Sequence, residues 1–238
     1  MLAKRIIPTI LMKGRQLVKG EHFKSDRVVG DALNAARVHA LRGVDEILML
    51  DVTATKEGRE PDYAMIEQLT STARVPVTIG GGITKIEHVR NLLASGADKV
   101  SIGLMKPALI KEVAEKFGAQ CVAVTLDAPE HDGDVTEAVI MGLAGGIEKL
   151  GAGEIILQAK KRDGTMLGYD LKMIRAVASE VSIPVVASGG CSGYEDMLQA
   201  ILAGADAVAA GALYQFTGAT PKGAAQYLLE QGIEVRID

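Results

Sequence analysis

Two glycine-rich turns carry the clearest chemical signal in the sequence. Gly80-Gly81-Gly82 follows one short apolar stretch, and Ser188-Gly189-Gly190 follows another. Glycine lets backbone N–H groups approach an anion closely, and the positive end of a following helix adds to the attraction. One such turn alone would indicate a tight loop, but two copies at matching places favour phosphate binding. We therefore expect a ligand with a phosphate at each end, bound at Gly81, Gly82, Gly189 and Gly190.

Further main-chain donors are expected beside these turns. Arg162-Asp163-Gly164-Thr165 and Gly211-Ala212 follow two more apolar stretches and would add donors, through Asp163, Gly164, Gly211 and Ala212, next to the second turn. The corresponding segment of the first half is Gly103-Leu104. Because Leu104 has no polar side chain, the first half is expected to bind through backbone donors or to bind weakly.

Three charged residues are candidates for acid–base or orienting roles. Asp127 ends an apolar stretch, where a carboxylate is well placed for general acid–base catalysis; capping of a loop is the alternative. Asp51 ends another stretch, and Lys19 lies in the first predicted loop. Together they would orient a polar substrate, although each alone fits a surface charge equally well.

The elements that must position these residues occur twice. Val44–Leu48, Pro76–Gly82 and Gly96–Val100 return as Ala152–Ile156, Pro184–Gly190 and Gly204–Val208, each 108 residues later. Three repeats at one offset indicate a doubled unit. Strand one matches strand five at the different offset of 116, which aligns Asp127 with Leu11. A paired-carboxylate site would therefore have lost one member.

Short apolar runs alternate with helical patterns, which predicts eight parallel strands and eight helices, a (β/α)8 TIM barrel. We expect one domain over 238 residues, built of half-barrels at about 1–118 and 119–238. Gly96 and Gly204 are predicted to end helices. The helices are expected at 31–42, 86–95, 144–150 and 194–203. The strands are expected at 6–12, 46–52, 75–79, 99–102, 121–126, 153–157, 184–187 and 207–210.

The composition excludes several classes of protein. A net charge of -4 argues against a nucleic-acid surface, and no apolar run is long enough for a signal or a membrane span. Cys121 and Cys191 lie in apolar or glycine-rich contexts, which favours a reducing cytoplasm. The four histidines lack metal-ligand spacing, so we expect neither a metal nor another cofactor; they are His22, His39, His88 and His131.

Together these segments resemble the cyclase subunit of imidazole glycerol phosphate synthase, a TIM-barrel family of histidine biosynthesis. The similar segments run from Lys4 to Ile237. They include Lys4–Pro8, Leu17–Gly20, Gly80–Ile83, Gly96–Ile102, Phe117–Gln120, Gly151–Ile155, Arg162–Thr165, Gly168–Asp170 and Ala187–Gly190. The related isomerase family of the same pathway is the main alternative assignment. The Arg162–Thr165 and Gly168–Asp170 segments favour the cyclase.

The resemblance implies a lyase that uses ammonia from a glutaminase partner to cleave and cyclise a bis-phosphorylated ribonucleotide. The family uses one aspartate at the end of strand one, where this chain has Leu11, and another that matches Asp127. The chain also departs from the family pattern at Gly103-Leu104, Gln158-Ala159 and Lys161, and it is short between Asp127 and Gly151.

The resemblance also implies a ring of charged residues at the N-terminal mouth of the barrel, where ammonia enters from the glutaminase. The matching positions are Arg5, Glu46, Lys99 and Glu154, with Asp98 beside them. A ring that only stabilises the barrel is the alternative, because the N-terminal face of such barrels often serves stability.

Three interpretations of the function remain open. One is a divergent, ammonia-using synthase or cyclase subunit that binds a phosphorylated sugar or nucleotide. The second is a non-catalytic barrel that docks a glutaminase or channels ammonia. The third is an authentic histidine-pathway cyclase that tolerates Leu11, although loss of a general acid–base group typically costs about 10²–10⁴ in rate. Strand one with Leu11, together with Asp51–Thr55 and Glu60-Pro61, is similar to a divergent branch of the family associated with sugar amidation in surface-polysaccharide synthesis.

Overall fold

The computed structural model describes residues 3–21, 27–128 and 134–236. The strands are β1 (Arg5–Lys13), β2 (Gln16–Lys19), β3 (Arg27–Asp31), β4 (Ile47–Asp51), β5 (Val77–Gly80), β6 (Lys99–Gly103), β7 (Val122–Asp127), β8 (Glu154–Gln158), β9 (Val185–Ser188) and β10 (Ala207–Ala210). The helices are α1 (Ala32–Leu41), α2 (Ala54–Glu57), α3 (Tyr63–Thr70), α4 (Ile86–Ala94), α5 (Pro107–Phe117), α6 (Asp134–Lys149), α7 (Leu171–Glu180), α8 (Tyr194–Leu202), α9 (Ala212–Phe216) and α10 (Pro221–Glu230).

Eight of the strands close into a parallel barrel. They follow the order β1, β4, β5, β6, β7, β8, β9 and β10, and β10 pairs with β1 from Arg5 opposite Ala207 to Pro8 opposite Ala210. Helices lie between successive barrel strands along the chain. The predicted (β/α)8 TIM barrel is therefore confirmed.

Side-chain alternation along each strand separates two apolar cores. One set of strand residues fills the inside of the barrel: Ile7, Leu48, Ala123, Ile156, Val186, Ala207 and Ala209. The intervening residues, such as Ile6, Met49 and Val208, pack outward in a larger cluster with helix residues such as Leu92 and Val177. Burial on both faces explains why the strands are apolar almost throughout.

The 108-residue repeat of the sequence recurs in the strand register. Ile47 pairs with Val77, and their counterparts Ile155 and Val185 also pair. The Thr78–Lys99 pair likewise returns as Val186 and Ala207. The carboxyl ends of all eight strands meet at one mouth, where the residues predicted for catalysis and substrate binding lie.

Polar caps and glycines set the ends of several helices. Asp31 and Asp170 accept hydrogen bonds from Asn34 N (2.8 Å) and Met173 N (3.2 Å) at the starts of α1 and α7. Gly96 and Gly204 follow α4 and α8 with φ of 91° and 112°, a conformation that favours glycine. Their prediction as helix ends is confirmed.

Several elements differ from the sequence prediction, since the described residues form ten strands and ten α-helices where eight of each were expected. The hairpin of β2 and β3 was not predicted, and Lys19, expected in a loop, ends strand β2. The helix expected over 144–150 begins at Asp134, because Ile140, Ala144 and Ile147 are fully buried against the core. Packing of these residues outweighs the poor helix propensity of Gly142, Gly145 and Gly146.

Candidate functional site

A small cavity lies at the C-terminal mouth, where the second half of the barrel meets β1 and β2. It brings together seven of the residues predicted to bind substrate, namely Lys19, Asp163, Gly164, Gly189, Gly190, Gly211 and Ala212. Thr9, Met166, Ser188, Cys191, Ala209 and Ala210 complete its lining. Glycines and a lysine around a small cavity form a suitable site for a phosphate group.

Lys19 supplies the positive charge of this cavity. Lys19 is only 3% exposed, although lysine is rarely buried without a partner. A β-carbon on Gly211 would collide with the Nζ atom of Lys19, so glycine is needed there to admit the ammonium. Burial lowers the pKa of Lys19, and the Asp163 carboxylate opposes that shift. A phosphate bound here would compensate the buried charge more fully.

The loop after β8 closes over Lys19. Gly164 has a φ of 76°, and a β-carbon there would collide with the carbonyl oxygen of Gly20, next to Lys19. Met166 in the same loop has a φ of 55°, a conformation that is uncommon for residues other than glycine. The Thr165 hydroxyl donates a 2.8 Å hydrogen bond to Arg162 O, which fixes the turn.

Thr9 is a second polar group available to a ligand of this cavity. Thr9 is 7% exposed, and within the described part of the chain its hydroxyl has no hydrogen-bond partner. Thr9 lies in β1 on the same side as Ile7, which faces the inside of the barrel. The alternation of residues along β1 predicts this inward position. Thr9 was not among the residues predicted from the sequence, because the prediction considered loops and glycine turns.

The first half of the barrel is built differently. Gly81 and Gly82 adopt φ of 97° and 72°, as Gly189 and Gly190 do at 93° and 100°. The Gly82 amide, however, donates a 3.1 Å hydrogen bond to the Thr55 hydroxyl. The expectation that this half binds through free backbone donors is therefore wrong for Gly82.

Gly103, at the end of β6, faces open space. A β-carbon placed on it would meet no atom within 4 Å. Gly103 thus leaves room for a ligand in the first half but brings no side chain to hold one.

Asp51 organises its own loop. Its carboxylate accepts hydrogen bonds from Thr53 N (3.0 Å), Ala54 N (2.9 Å) and Arg59 Nη1 (3.1 Å). Asp51 does not line the cavity that holds Lys19. The expected role of Asp51 in orienting a substrate together with Lys19 stays a prediction, and the Asp51 oxygens are engaged in holding the β4–α2 turn.

Asp127 ends β7 at the C-terminal mouth. It lies on the same strand face as Ala123, which points into the barrel. Its Oδ2 atom is 2.6 Å from Nζ of Lys160, and both side chains are 48% exposed. Asp127 thus remains open to a ligand from the mouth, while Lys160 restricts the orientation of its carboxylate. Lys160 was not among the residues predicted from the sequence.

Strand pairing identifies Leu11 as the counterpart of Asp127. Leu11 pairs with Leu50 and Asp127 with Gln158, and residues 50 and 158 are related by the 108-residue repeat. Leu11 is 2% exposed and has no group that transfers protons. The mouth therefore holds one carboxylate at this pair of equivalent positions.

A closed ring of charges lies at the opposite, N-terminal mouth. Arg5 contacts Glu46 at 2.6 Å and Glu154 at 2.9 Å, and Lys99 contacts the same two carboxylates at 2.7 and 2.8 Å. Thr78 donates a further hydrogen bond of 2.5 Å to Glu46. Each buried acid is thus held by two cations, which compensates for its loss of water.

Asp98 has a structural role beside this ring. Its carboxylate accepts a 2.9 Å hydrogen bond from Val77 N, and the equivalent Asp206 accepts one from Val185 N at 3.1 Å. These bonds fix the starts of β5 and β9. Asp98 also lines, with Arg5, Glu46, Lys99 and other residues, a depression on the N-terminal face.

Cys121 and Cys191 are free and buried. Within residues 3–21, 27–128 and 134–236 no group of three or more His, Cys, Asp or Glu residues could hold a metal ion, and His22 and His131 lie outside these ranges. No helix in the same ranges is long and apolar enough to cross a membrane.

Comparison with known proteins agrees with this architecture. The family described as histidine biosynthesis protein matches residues 5–219. The chain is 40% identical over 252 residues to the imidazole glycerol phosphate synthase subunit HisF of Dictyoglomus thermophilum, and 41% identical to that of Dictyoglomus turgidum. Both alignments cover all of this chain and all of the relative. The chain therefore belongs to the family of histidine biosynthesis proteins.

Proposed function

We propose that this chain is the cyclase subunit of an imidazole glycerol phosphate synthase, a lyase of histidine biosynthesis. It uses ammonia to cleave and cyclise a bis-phosphorylated ribonucleotide. The full-length identity of 40% to a subunit of that synthase is the observation that carries the proposal. A cytoplasmic location accompanies this activity.

The cavity with Lys19 holds one phosphate of the substrate. The buried ammonium, the backbone of Gly189, Gly190 and Gly211, and the Thr9 hydroxyl converge on it. A charge-assisted hydrogen bond from Lys19 to a phosphate oxygen is stronger than a neutral one. The phosphate anchors one end of the ribonucleotide, so that its reacting carbon and nitrogen atoms lie over the mouth.

Asp127 moves the protons of the reaction. Its half-exposed carboxylate lies at the C-terminal mouth, and the contact with Lys160 at 2.6 Å holds it in an orientation suited to a general base. Because Leu11 replaces the second carboxylate, proton transfer at the equivalent position falls to solvent or to the substrate. We expect a slower reaction than in a barrel with both acids.

Ammonia reaches the mouth from a glutaminase subunit docked on the N-terminal face. The depression lined by Arg5, Asp98 and Lys99 supports docking there, because it combines charges of both signs with partial exposure. The ring of Arg5, Glu46, Lys99 and Glu154 lies across the entry to the barrel, so at least one of its ion pairs must open for ammonia to pass.

A second function is favoured by Leu11. A barrel that retains the charged ring but has lost one of two equivalent carboxylates is suited to docking a glutaminase and channelling ammonia without cyclising anything itself. Under this alternative, amidation of a phosphorylated sugar takes place on another protein, and Asp127 has no catalytic role.

Ammonia-dependent turnover separates the two functions. The purified chain is incubated with ammonium chloride and the bis-phosphorylated ribonucleotide of histidine biosynthesis, and cleavage is followed by chromatography of both products. Product formation that scales with ammonium concentration supports the cyclase. A chain that forms no product, yet stimulates the glutaminase subunit of an imidazole glycerol phosphate synthase, supports the channelling barrel.

A further inference from the structure

Lys106 places an ammonium group in the first half of the barrel. It lies between β6 and α5, and its Nζ atom donates a 2.5 Å hydrogen bond to the carbonyl oxygen of Ile83. Ile83 directly follows the Gly81-Gly82 turn at the end of β5. The side chain of Lys106 therefore bridges the loops that follow two neighbouring strands of the mouth.

This ammonium has no anionic partner in the described part of the chain. Its hydrogen bond is to a neutral carbonyl group, and partial burial lowers the pKa of Lys106 without an opposing carboxylate. Lys19, by comparison, faces Asp163. A partly desolvated cation that lacks a counter-ion is stabilised by binding an anion.

Space for an anion is available next to Lys106. Gly103 faces open space, and the tight turn from Gly103 to Lys106, closed by a 3.2 Å hydrogen bond from Lys106 N to Gly103 O, brings the lysine back towards it. Because the Gly82 amide is engaged by Thr55, the backbone alone offers few donors here. The bond to Ile83 uses one ammonium hydrogen and leaves two for a ligand.

We propose that Lys106 is the phosphate-binding residue of the first half, where it takes the second phosphoryl group of a ligand whose first phosphoryl group lies at Lys19. The inference rests on the proposed function insofar as that function requires a ligand with two phosphates. The two lysines come from different elements, β2 and the β6–α5 loop, so the internal repeat does not predict their pairing. Lys106 supplies the charge that Gly103-Leu104 lacks.

Phosphate binding to four variants tests the assignment. Inorganic phosphate is titrated into the full chain and followed by calorimetry, for wild type, Lys106→Met, Lys106→Arg, Lys19→Met and Lys111→Met. Lys111 is the matched control, because it lies on α5, is 64% exposed and pairs only weakly with Glu115 at 3.9 Å.

Wild type, Lys106→Arg and Lys111→Met are expected to bind two phosphates per chain, and Lys106→Met and Lys19→Met one each. Loss of the charged donor corresponds to a decrease in affinity at that site of about 10- to 100-fold. Two unchanged phosphates in Lys106→Met, or no phosphate in the first half of wild type, would overturn the proposal.

Turnover distinguishes failure of this inference from failure of the proposed function. In an active enzyme, Lys106→Met should raise KM for the bis-phosphorylated ribonucleotide about tenfold or more and leave kcat nearly unchanged, as loss of uniform binding does. Equal KM values in Lys106→Met and Lys111→Met would refute the role of Lys106. A wild type that binds two phosphates, one lost in each lysine variant, but turns nothing over would refute only the cyclase.

Discussion

Leu11 in β1 and Asp127 at the end of β7 occupy equivalent positions, since their pairing partners Leu50 and Gln158 are related by the internal repeat. One position carries a half-exposed carboxylate and the other a buried apolar side chain. The asymmetry separates this mouth from a site with paired acids. It also defines which substitution would restore the missing group.

Leu11→Asp should increase ammonia-dependent turnover and decrease stability. A second proton-transferring group contributes about 10²–10⁴-fold in rate in favourable geometry. The cost arises because the new carboxylate replaces a side chain that is 2% exposed. Leu11→Asn is the control, since it is polar and similar in size but cannot transfer protons. Equal turnover in Leu11→Asp and wild type would show that the mouth no longer aligns a substrate between these positions.

Lys99→Met should destabilise the barrel strongly. It removes one of the two cations that hold Glu46 and Glu154, both buried, so of this pair of cations Arg5 alone remains. Breaking a buried ion pair from one side costs about 3–5 kcal/mol. Lys4→Met removes the partner of the more exposed Asp206 and should cost less than about 1 kcal/mol. Urea unfolding of the two variants measures the difference, and similar losses would contradict a structural role for the ring.

Stability should fall as the pH is lowered from about 6.5 to about 4 because of His39. Burial, with a smaller effect from Arg42, lowers the pKa of His39 from 6.5 to about 4. The unfolded chain therefore binds a proton in this window that the folded chain does not, and stability rises with pH across it. The full effect is at most about 3 kcal/mol.

His39→Gln tests this effect. His39 packs against the ring of Tyr214 at 5.7 Å, so the substitution also changes stability at every pH. Only the slope between pH 4 and 6.5 is diagnostic, and it should become shallower in the variant. A slope identical to that of wild type would assign the acid sensitivity to other groups.

The affinity for phosphate in the second half should fall as the pH rises. This fall should begin at a lower pH than the one at which an ordinary lysine loses its proton. The pKa of Lys19 is lowered by burial, and only its protonated form attracts phosphate. Binding should therefore take up a proton in the alkaline range where free Lys19 is partly neutral. Calorimetry of the Lys106→Met chain in two buffers of different ionisation enthalpy detects this uptake. Constant affinity with no proton uptake up to about pH 10 would contradict it.

The sequence predicted the barrel because its strand patterns and their repeat are local properties. Runs such as those of β5 and β9 are mostly apolar and buried throughout, and their common spacing reflects a register that the structure repeats. The β2–β3 hairpin was missed because its strands are only four and five residues long and their register shifts between Leu17 and Val18.

The candidate site was predictable only in part. Glycine turns and strand ends are visible in the sequence, and most of those in the second half meet in one cavity. Contacts between loops are not visible in this way. The Lys160–Asp127 and Lys106–Ile83 contacts and the engagement of Gly82 by Thr55 depend on how neighbouring loops fold over the mouth.

The most direct test of the central claim compares ammonia-dependent turnover of the bis-phosphorylated ribonucleotide by wild type and Asp127→Asn. Asparagine preserves the size of the side chain but cannot act as a base, and Asp127 is exposed enough for the fold to tolerate it. We predict measurable turnover by wild type and a loss of about 10²-fold or more in the variant. Equal turnover by both chains, or none by wild type, would contradict a cyclase that works through Asp127.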